Sequence, residues 1–186
     1  MLKRKKIAEL HHFTPDLKRV AINISSRQLA NHSVVEQFEH LLDKYALPPS
    51  LIELEITESC LIQDFEQTLA ILWELKELGV SIAMDDFGTG YSSFAYLAKL
   101  PIDVLKLDKV LVDGIEGCKE IQSMIGGLIA MCHELGIDVV AEGVELEGQV
   151  ALLKQLNCDY IQGYYFSKAL PKPEFEKLLL QQPFMH

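Results

Sequence analysis

Ser81-Ile-Ala-Met-Asp-Asp-Phe-Gly-Thr-Gly90 decides how the chain is read. Residues 80–84 carry no charge, end in the adjacent carboxylates Asp85 and Asp86, and lead into a loop with two glycines and the turn Tyr91-Ser92-Ser93. Such a run suits a strand covered on both faces, as in a parallel sheet. Two neighbouring carboxylates at the end of a strand repel each other unless something positive lies between them. A divalent cation held by oxygen ligands is the usual answer. The competing reading has Asp86 capping the turn and Asp85 merely solvated; the rest of the chain favours the cation.

Working outward, strands and helices alternate on both sides of this stretch. Upstream, Val20-Ala-Ile-Asn-Ile-Ser25 and Leu51-Ile-Glu-Leu-Glu-Ile-Thr57 read as strands. Between them, Val34, Val35, Phe38, Leu41, Leu42 and Tyr45 have helical spacing, and Pro48-Pro49 stops the helix. Asp64 is placed to cap a second helix that carries Phe65, Leu69, Leu72, Leu75 and Leu78 and ends at Gly79. Residues 1–19 are basic and read as the tail of a helix closing before Thr14-Pro15. Downstream come a short helix near 92–100, a strand over 104–108, and the longest helix, which stops at Gly136. Strands over 138–144 and 160–166 follow, each trailed by a helix. Trp73 and the aromatics of the long helices read as core.

Glu77-Leu-Gly-Val-Ser-Ile-Ala-Met-Asp85 and Glu134-Leu-Gly-Ile-Asp-Val-Val-Ala-Glu142 repeat one pattern: a helix closing on glycine, a strand, and a carboxylate six residues beyond that glycine. Repetition of this kind predicts an α/β chain of parallel β/α units, a TIM-like barrel with about six strands and surrounding helices, incomplete against the full eight. An open doubly wound sheet is the runner-up, although no G-x-G-x-x-G or G-x-x-x-x-G-K-[ST] loop is present. One domain over 1–186 accommodates this length.

The formal net charge of −10 argues against a nucleic-acid polymer or an anionic membrane as the main partner. A small anionic ligand stays open, because bound cations can reverse the local sign. Four widely spaced cysteines with no C-x-x-C pair read as reduced thiols of a cytoplasmic protein. No apolar run approaches the roughly 20 residues that span a bilayer, and no signal peptide follows the basic start.

Each expected strand places a polar group in or just beyond its apolar run: Asn23, Glu55, Asp85 with Asp86, Lys106, Glu142 and Gln162. Any one alone reads as a cap or a satisfied interior group. Six strands in succession point instead to a shared site, since buried carboxylates without cations cost several kcal/mol each. Amide and carboxylate oxygens are hard ligands, suited to Mg²⁺ or Mn²⁺ rather than zinc. Two such ions, about 3.5–4 Å apart, are a common device for phosphoester hydrolysis. Lys106 has two readings: an ion pair with Asp103 or Asp108, or an inward ammonium that orients water or phosphate. Glu58 and Glu145 lie just past strand ends and read equally as braces for the loop holding Thr89 and Gly90 or as solvated glutamates. The histidines show no ligand spacing and read as surface residues.

Several stretches resemble one family. Glu55-Ile-Thr-Glu58 resembles its E-[LI]-T-E motif, and Asp85-Asp-Phe-Gly-Thr-Gly-Tyr-Ser-Ser93 its D-D-F-G-T-G-Y-S-S loop. Pro101-Ile-Asp-Val-Leu-Lys-Leu-Asp108, Ala141-Glu-Gly-Val-Glu145 and Gln162-Gly-Tyr164 are similar to P-x-D-x-[LI]-K-[LI]-D, A-E-G-V-E and Q-G-Y. These are signatures of the EAL-domain cyclic di-GMP phosphodiesterases. The resemblance implies a TIM-like barrel that opens cyclic di-GMP to linear pGpG with two Mg²⁺ or Mn²⁺ ions. By position it makes Asn23, Glu55, Asp85 and Asp86 metal ligands, with Asp86 also in the catalytic group. Lys106 holds the catalytic water, and Glu142 acts as general base or second-metal ligand. Gln162 supports the site, and Glu58 and Glu145 hold the Thr89–Gly90 loop. A homodimer and upstream sensory or GGDEF modules belong to the same implication.

Glu-Ala-Leu, from which the family takes its name, does not occur in the sequence. The expectation is therefore a partial EAL domain beginning inside the helix before the Asn23 strand, weakly active or inactive as it stands. A catalytically silent module that binds cyclic di-GMP or a protein partner remains the alternative, as does a fragment of a longer enzyme.

Overall fold

The computed structural model describes residues 19–61, 64–88 and 97–181. Six parallel strands form one sheet whose spatial order follows the sequence: β1 (Val20–Ile24), β2 (Ile52–Thr57), β3 (Ser81–Phe87), β4 (Val104–Leu107), β5 (Asp138–Ala141) and β6 (Tyr160–Ile161). A doubly wound sheet reverses its strand order at a switch point. This one never reverses, so the structure is of the β/α-barrel kind, and the open-sheet alternative falls. Helices α1 (Ser26–Leu29), α2 (Ser33–Tyr45), α3 (Phe65–Glu77), α4 (Lys109–Asp113), α5 (Lys119–Glu134), α6 (Glu147–Gln155) and α7 (Lys172–Gln181) fill the connections. The expected helix tail over 1–19 and most of the helix near 92–100 lie outside the described residues.

Strand alternation sorts the sheet into two faces. Leu54, Ile56, Ile82, Met84, Leu105, Leu107, Val139 and Ala141 share one face and are all buried. Ile71, Leu72 and Leu75 of α3 and Ile125, Ile129 and Cys132 of α5 belong to the same core cluster. Full burial of one Leu or Ile contributes about 1.5–3 kcal/mol, so this layer holds the fold. Glu55, Asp85 and Lys106 occupy the other face. The sheet therefore carries its apolar residues toward the helices and its polar ones toward the interior.

Helix ends follow their local chemistry. Asp64 Oδ1 accepts from the Gln67 backbone N–H at 3.1 Å and starts α3. Gly79 and Gly136, in the repeated pattern, both have φ in the left-handed region, at 90° and 72°, and turn the chain from helix to strand. Helix α1 was not among the expected elements; the Ser25 backbone N–H donates to Gln28 Oε1 at 3.1 Å across its single turn.

Three expectations are corrected. The strand over 138–144 stops at Ala141, and that over 160–166 stops at Ile161. Beyond them the backbone bonds loop to loop: Val144 N–H donates to Gln162 O at 3.1 Å and Tyr165 N–H to Val144 O at 3.0 Å. This crossing needs Gly163, where a Cβ would lie 2.0 Å from Val144 O. Tyr164, Tyr165 and Phe166, strand-like in composition, are exposed. Trp73 is also exposed, at 52%, because the buried positions of α3 are 68, 71, 72 and 75.

Candidate active site at the strand ends

Lys106 stands in β4 between Leu105 and Leu107, both fully buried, so its backbone is fixed and its side chain enters the polar face. Its ammonium meets three carboxylates. Nζ bonds Glu55 Oε1, lies 2.6 Å from Glu142 Oε1, and is 3.1 Å from Asp85 Oδ1. The four side chains come from β2, β3, β4 and the residue following β5. They are 8% exposed for Lys106 and 21% or less for the acids. Lys106 points inward, and its ion pairs are with these three acids rather than with Asp103 or Asp108. Asp103 is taken by Lys76 Nζ at 2.7 and 2.8 Å and by the Ile82 backbone N–H at 2.8 Å. Asp108 caps α4 through the Val110 backbone N–H at 2.7 Å.

Three carboxylates and one ammonium leave a local charge of −2. Burial would push the Lys106 pKa down, but its bonds to Glu142 and Glu55 outweigh that and raise it above the ordinary lysine range. Burial raises the Glu142 pKa although Lys106 pulls the other way. At Asp86, burial and then the charges of Asp85 and Asp108 raise the carboxyl's pKa.

Asp85 and Asp86 do not simply alternate. Asp86 has φ 57°, and the pairing of β3 with β4 shifts register between Met84 and Phe87. This bulge bends the strand end and leaves Asp85 beside Lys106 with Asp86 on the exposed side. A non-glycine residue in the left-handed region costs about 1–2 kcal/mol, a strain of the sort that collects at working sites.

The remaining candidates lie around this centre at different depths. Asn23 pairs in register with Glu55 and shares its face, at an exposed position. Gln162 is exposed, with its backbone N–H bonded to Ala141 O at 2.8 Å, which sets it level with Glu142. Glu58 opens a 3-10 turn (Glu58–Leu61), and its Oε2 is buried without a hydrogen bond. Glu145 bonds Lys109 Nζ at 3.1 Å. Thr89 and Gly90 lie outside the described residues, so the loop that Glu58 and Glu145 were expected to brace cannot be placed against them.

Two residues that sequence reasoning passed over shape the Glu142 turn. Lys109 Nζ bonds Gly143 O at 3.3 Å, Asp113 and Glu145. Gln149, almost fully buried, accepts from the Glu145 and Leu146 backbone N–H groups at 2.9 and 3.0 Å. Gln149 carried half a signal: a glutamine at the third helical position can reach back to the backbone N–H groups before the helix, but Leu146 lacks the side-chain acceptor that would complete the motif. Lys109 carried none beyond adjacency to Asp108.

The donor set fits a hard divalent cation. Asp85 Oδ1 is buried and makes no hydrogen bond, the cluster has excess negative charge, and every donor is oxygen. Among the described residues, no three acidic, histidine or cysteine side chains are grouped to hold an ion as they stand, because Lys106 occupies the centre.

The fold and this rim define a β/α-barrel protein with an acid-and-lysine site at the C-terminal ends of its strands. The chain belongs to the EAL domain family, whose model matches residues 2–169. It is 40% identical over 175 residues to the cyclic di-GMP phosphodiesterase NbdA of Pseudomonas aeruginosa, covering 94% of this chain and 22% of that protein. The PaMucR phosphodiesterase in complex with c-di-GMP has TM-score 0.83 and 34% identity, over 92% of this chain and 69% of that one. The manganese/cy-diGMP complex of Klebsiella pneumoniae BlrP1 has TM-score 0.81 and 31% identity, over 89% of this chain and 43% of that one. The chain spans about a fifth of the length of the curated relatives it matches.

Proposed function

We propose that the chain hydrolyses cyclic di-GMP to linear pGpG at the Lys106 rim, with two Mg²⁺ or Mn²⁺ ions. One observation carries this reading: Glu55, Asp85 and Glu142, from three separate strand ends, meet at one buried ammonium. NbdA's name and the PaMucR complex supply the substrate class, and the BlrP1 complex supports a divalent ion.

Asn23, Glu55, Asp85, Asp86 and Glu142 would hold the ions, which supply Lewis-acid stabilisation of charge on the phosphate oxygens. Glu142, with its raised pKa, is suited to accept a proton from the attacking water. Lys106 orients that water and faces the charge that develops on phosphate. The water oxygen bonds to phosphorus, the bond from phosphorus to the 3′ oxygen breaks, and that oxygen takes up a proton. Gln162 supports the phosphate side, and Glu58 and Glu145 hold the loop containing Thr89 and Gly90. A homodimer, upstream sensory or GGDEF modules and a cytoplasmic location belong to the same reading. Among the described residues no helix is long and apolar enough to cross a membrane.

The test is turnover of cyclic di-GMP by the 186-residue chain with Mg²⁺ or Mn²⁺, read by chromatography of pGpG. Slow, chelator-sensitive turnover is expected, falling by about 10²-fold or more in Glu142→Gln. A second reading, a silent binding module, draws on Lys106 filling the centre. Tight binding of cyclic di-GMP without pGpG would establish it, and absence of both would sink the two readings together.

A further inference from the structure

We infer that Lys106 is the site's own counter-ion, an ammonium that takes the place between Glu55, Asp85 and Glu142 and must leave it before a divalent cation is held there. This deepens the reading above and rests on the same rim. One ammonium has three N–H donors, and here it faces three carboxylates from three other strand ends. Lys109, a second cation near this rim, has its own partners in Asp113, Glu145 and Gly143 O. Without Lys106, three partly buried acids would face each other with nothing between them, an arrangement that does not persist uncompensated.

The strand fixes where Lys106 can go. Leu105 and Leu107 pair with Val139 and Ala141 and lie in the buried layer, so β4 cannot slide. Movement is confined to the four methylenes of the lysine stem, which swing the ammonium from the acids toward the open rim. The same amine thus serves two states. It neutralises the acids when no metal is bound, and it turns to water and phosphate when the acids have a cation of their own. Two positive groups competing for one set of oxygens are reciprocally coupled: what one gains in affinity the other loses. Asp85 Oδ1, buried within 3.1 Å of the ammonium yet outside hydrogen-bond geometry, is the weakest of the three contacts and the first open to a cation.

Lys106→Met and Lys106→Gln test this through Mn²⁺ affinity by calorimetry, with melting followed in chelator and in Mn²⁺. Both variants are expected to melt lower than wild type in chelator. They should bind Mn²⁺ about 10-fold more tightly, the size of an ordinary coupling between two sites. Equal or weaker Mn²⁺ binding overturns the inference. Should neither variant fold without metal, the wild-type chain decides by trace acetylation with acetic anhydride and mass spectrometry. Lys106 labelling should rise several-fold on adding Mn²⁺, and unchanged labelling overturns the proposal. These readouts are independent of turnover. If they move and no pGpG forms, the counter-ion role stands and the hydrolase reading falls; if pGpG forms and they do not move, the reverse holds.

Discussion

Cys132 and Cys158 sit behind the sheet, where burial pushes both thiols up to about 11. A neutral thiol is at home there and a thiolate is not. For an acid whose folded pKa lies above its unfolded value, the stability contribution is complete below the unfolded pKa. It drains away as pH rises, here from 9.0 toward 11. At pH 8 each is a thiolate in only about one molecule in 10³. Iodoacetamide should therefore label Cys118, which is partly exposed, well before Cys132, which is buried. Peptide mapping over time checks this, and early labelling of Cys132 would contradict its burial. Gly163 makes the opposite demand, for space rather than polarity. Its α-carbon lies so close to Val144 that a methyl group would overlap backbone. Backbone cannot swing aside as a side chain can, so Gly163→Ala should cost about 3 kcal/mol, the upper end for overpacking, measured by urea denaturation.

Single elements are held at their ends. Asp64→Ala removes the cap of α3 and should cost about 1 kcal/mol, read as a lower urea denaturation midpoint. Asp103 ties three pieces at the other end of the sheet: Lys76 of α3, Ser81 Oγ at 3.2 Å and the Ile82 backbone N–H of β3. Asp103→Ala should cost about 1–3 kcal/mol, mainly from the backbone donor left unpaired, and its denaturation midpoint should fall more than that of Asp64→Ala. These elements also show what a sequence exposes. Helices α2, α3 and α5 were legible because apolar period, caps and stop residues agree over three turns or more. β1 to β4 were legible because their apolar runs end at groups with another task. β5 and β6 were not legible in length, since Tyr164, Tyr165 and Phe166 have strand composition but bond to a loop. Trp73 misled for a related reason: aromatic identity suggests core, while the helical phase of Leu72 and Leu75 puts position 73 outside.

The molecule as a whole sets the terms on which a ligand arrives. Which residues form the rim was readable, because a polar group at each strand end converges once the strands are parallel and in order. How they partner was not, because the grouping of Glu55, Asp85 and Glu142 on one lysine depends on register, and the Met84–Phe87 shift has no signature beyond the paired aspartates. Around that rim lies a chain of net charge −10. The cyclic dinucleotide proposed as substrate would bring two further negative charges, so the long-range field would repel it even where a metal-loaded site attracts it. Salt shortens the reach of such fields from about 10 Å at 0.1 M to about 3 Å at 1 M. It weakens distant repulsion far more than contact attraction at a partly buried site. The association rate of cyclic di-GMP at saturating Mg²⁺ should therefore rise several-fold between those salt concentrations, with steered association running the opposite way in oppositely charged pairs. Stopped-flow measurement with a fluorescent guanine analogue reads this directly. A rate that falls with salt would show that the ions and Lys106 dominate the field felt at a distance, and that the acidic surface is too remote from the rim to matter.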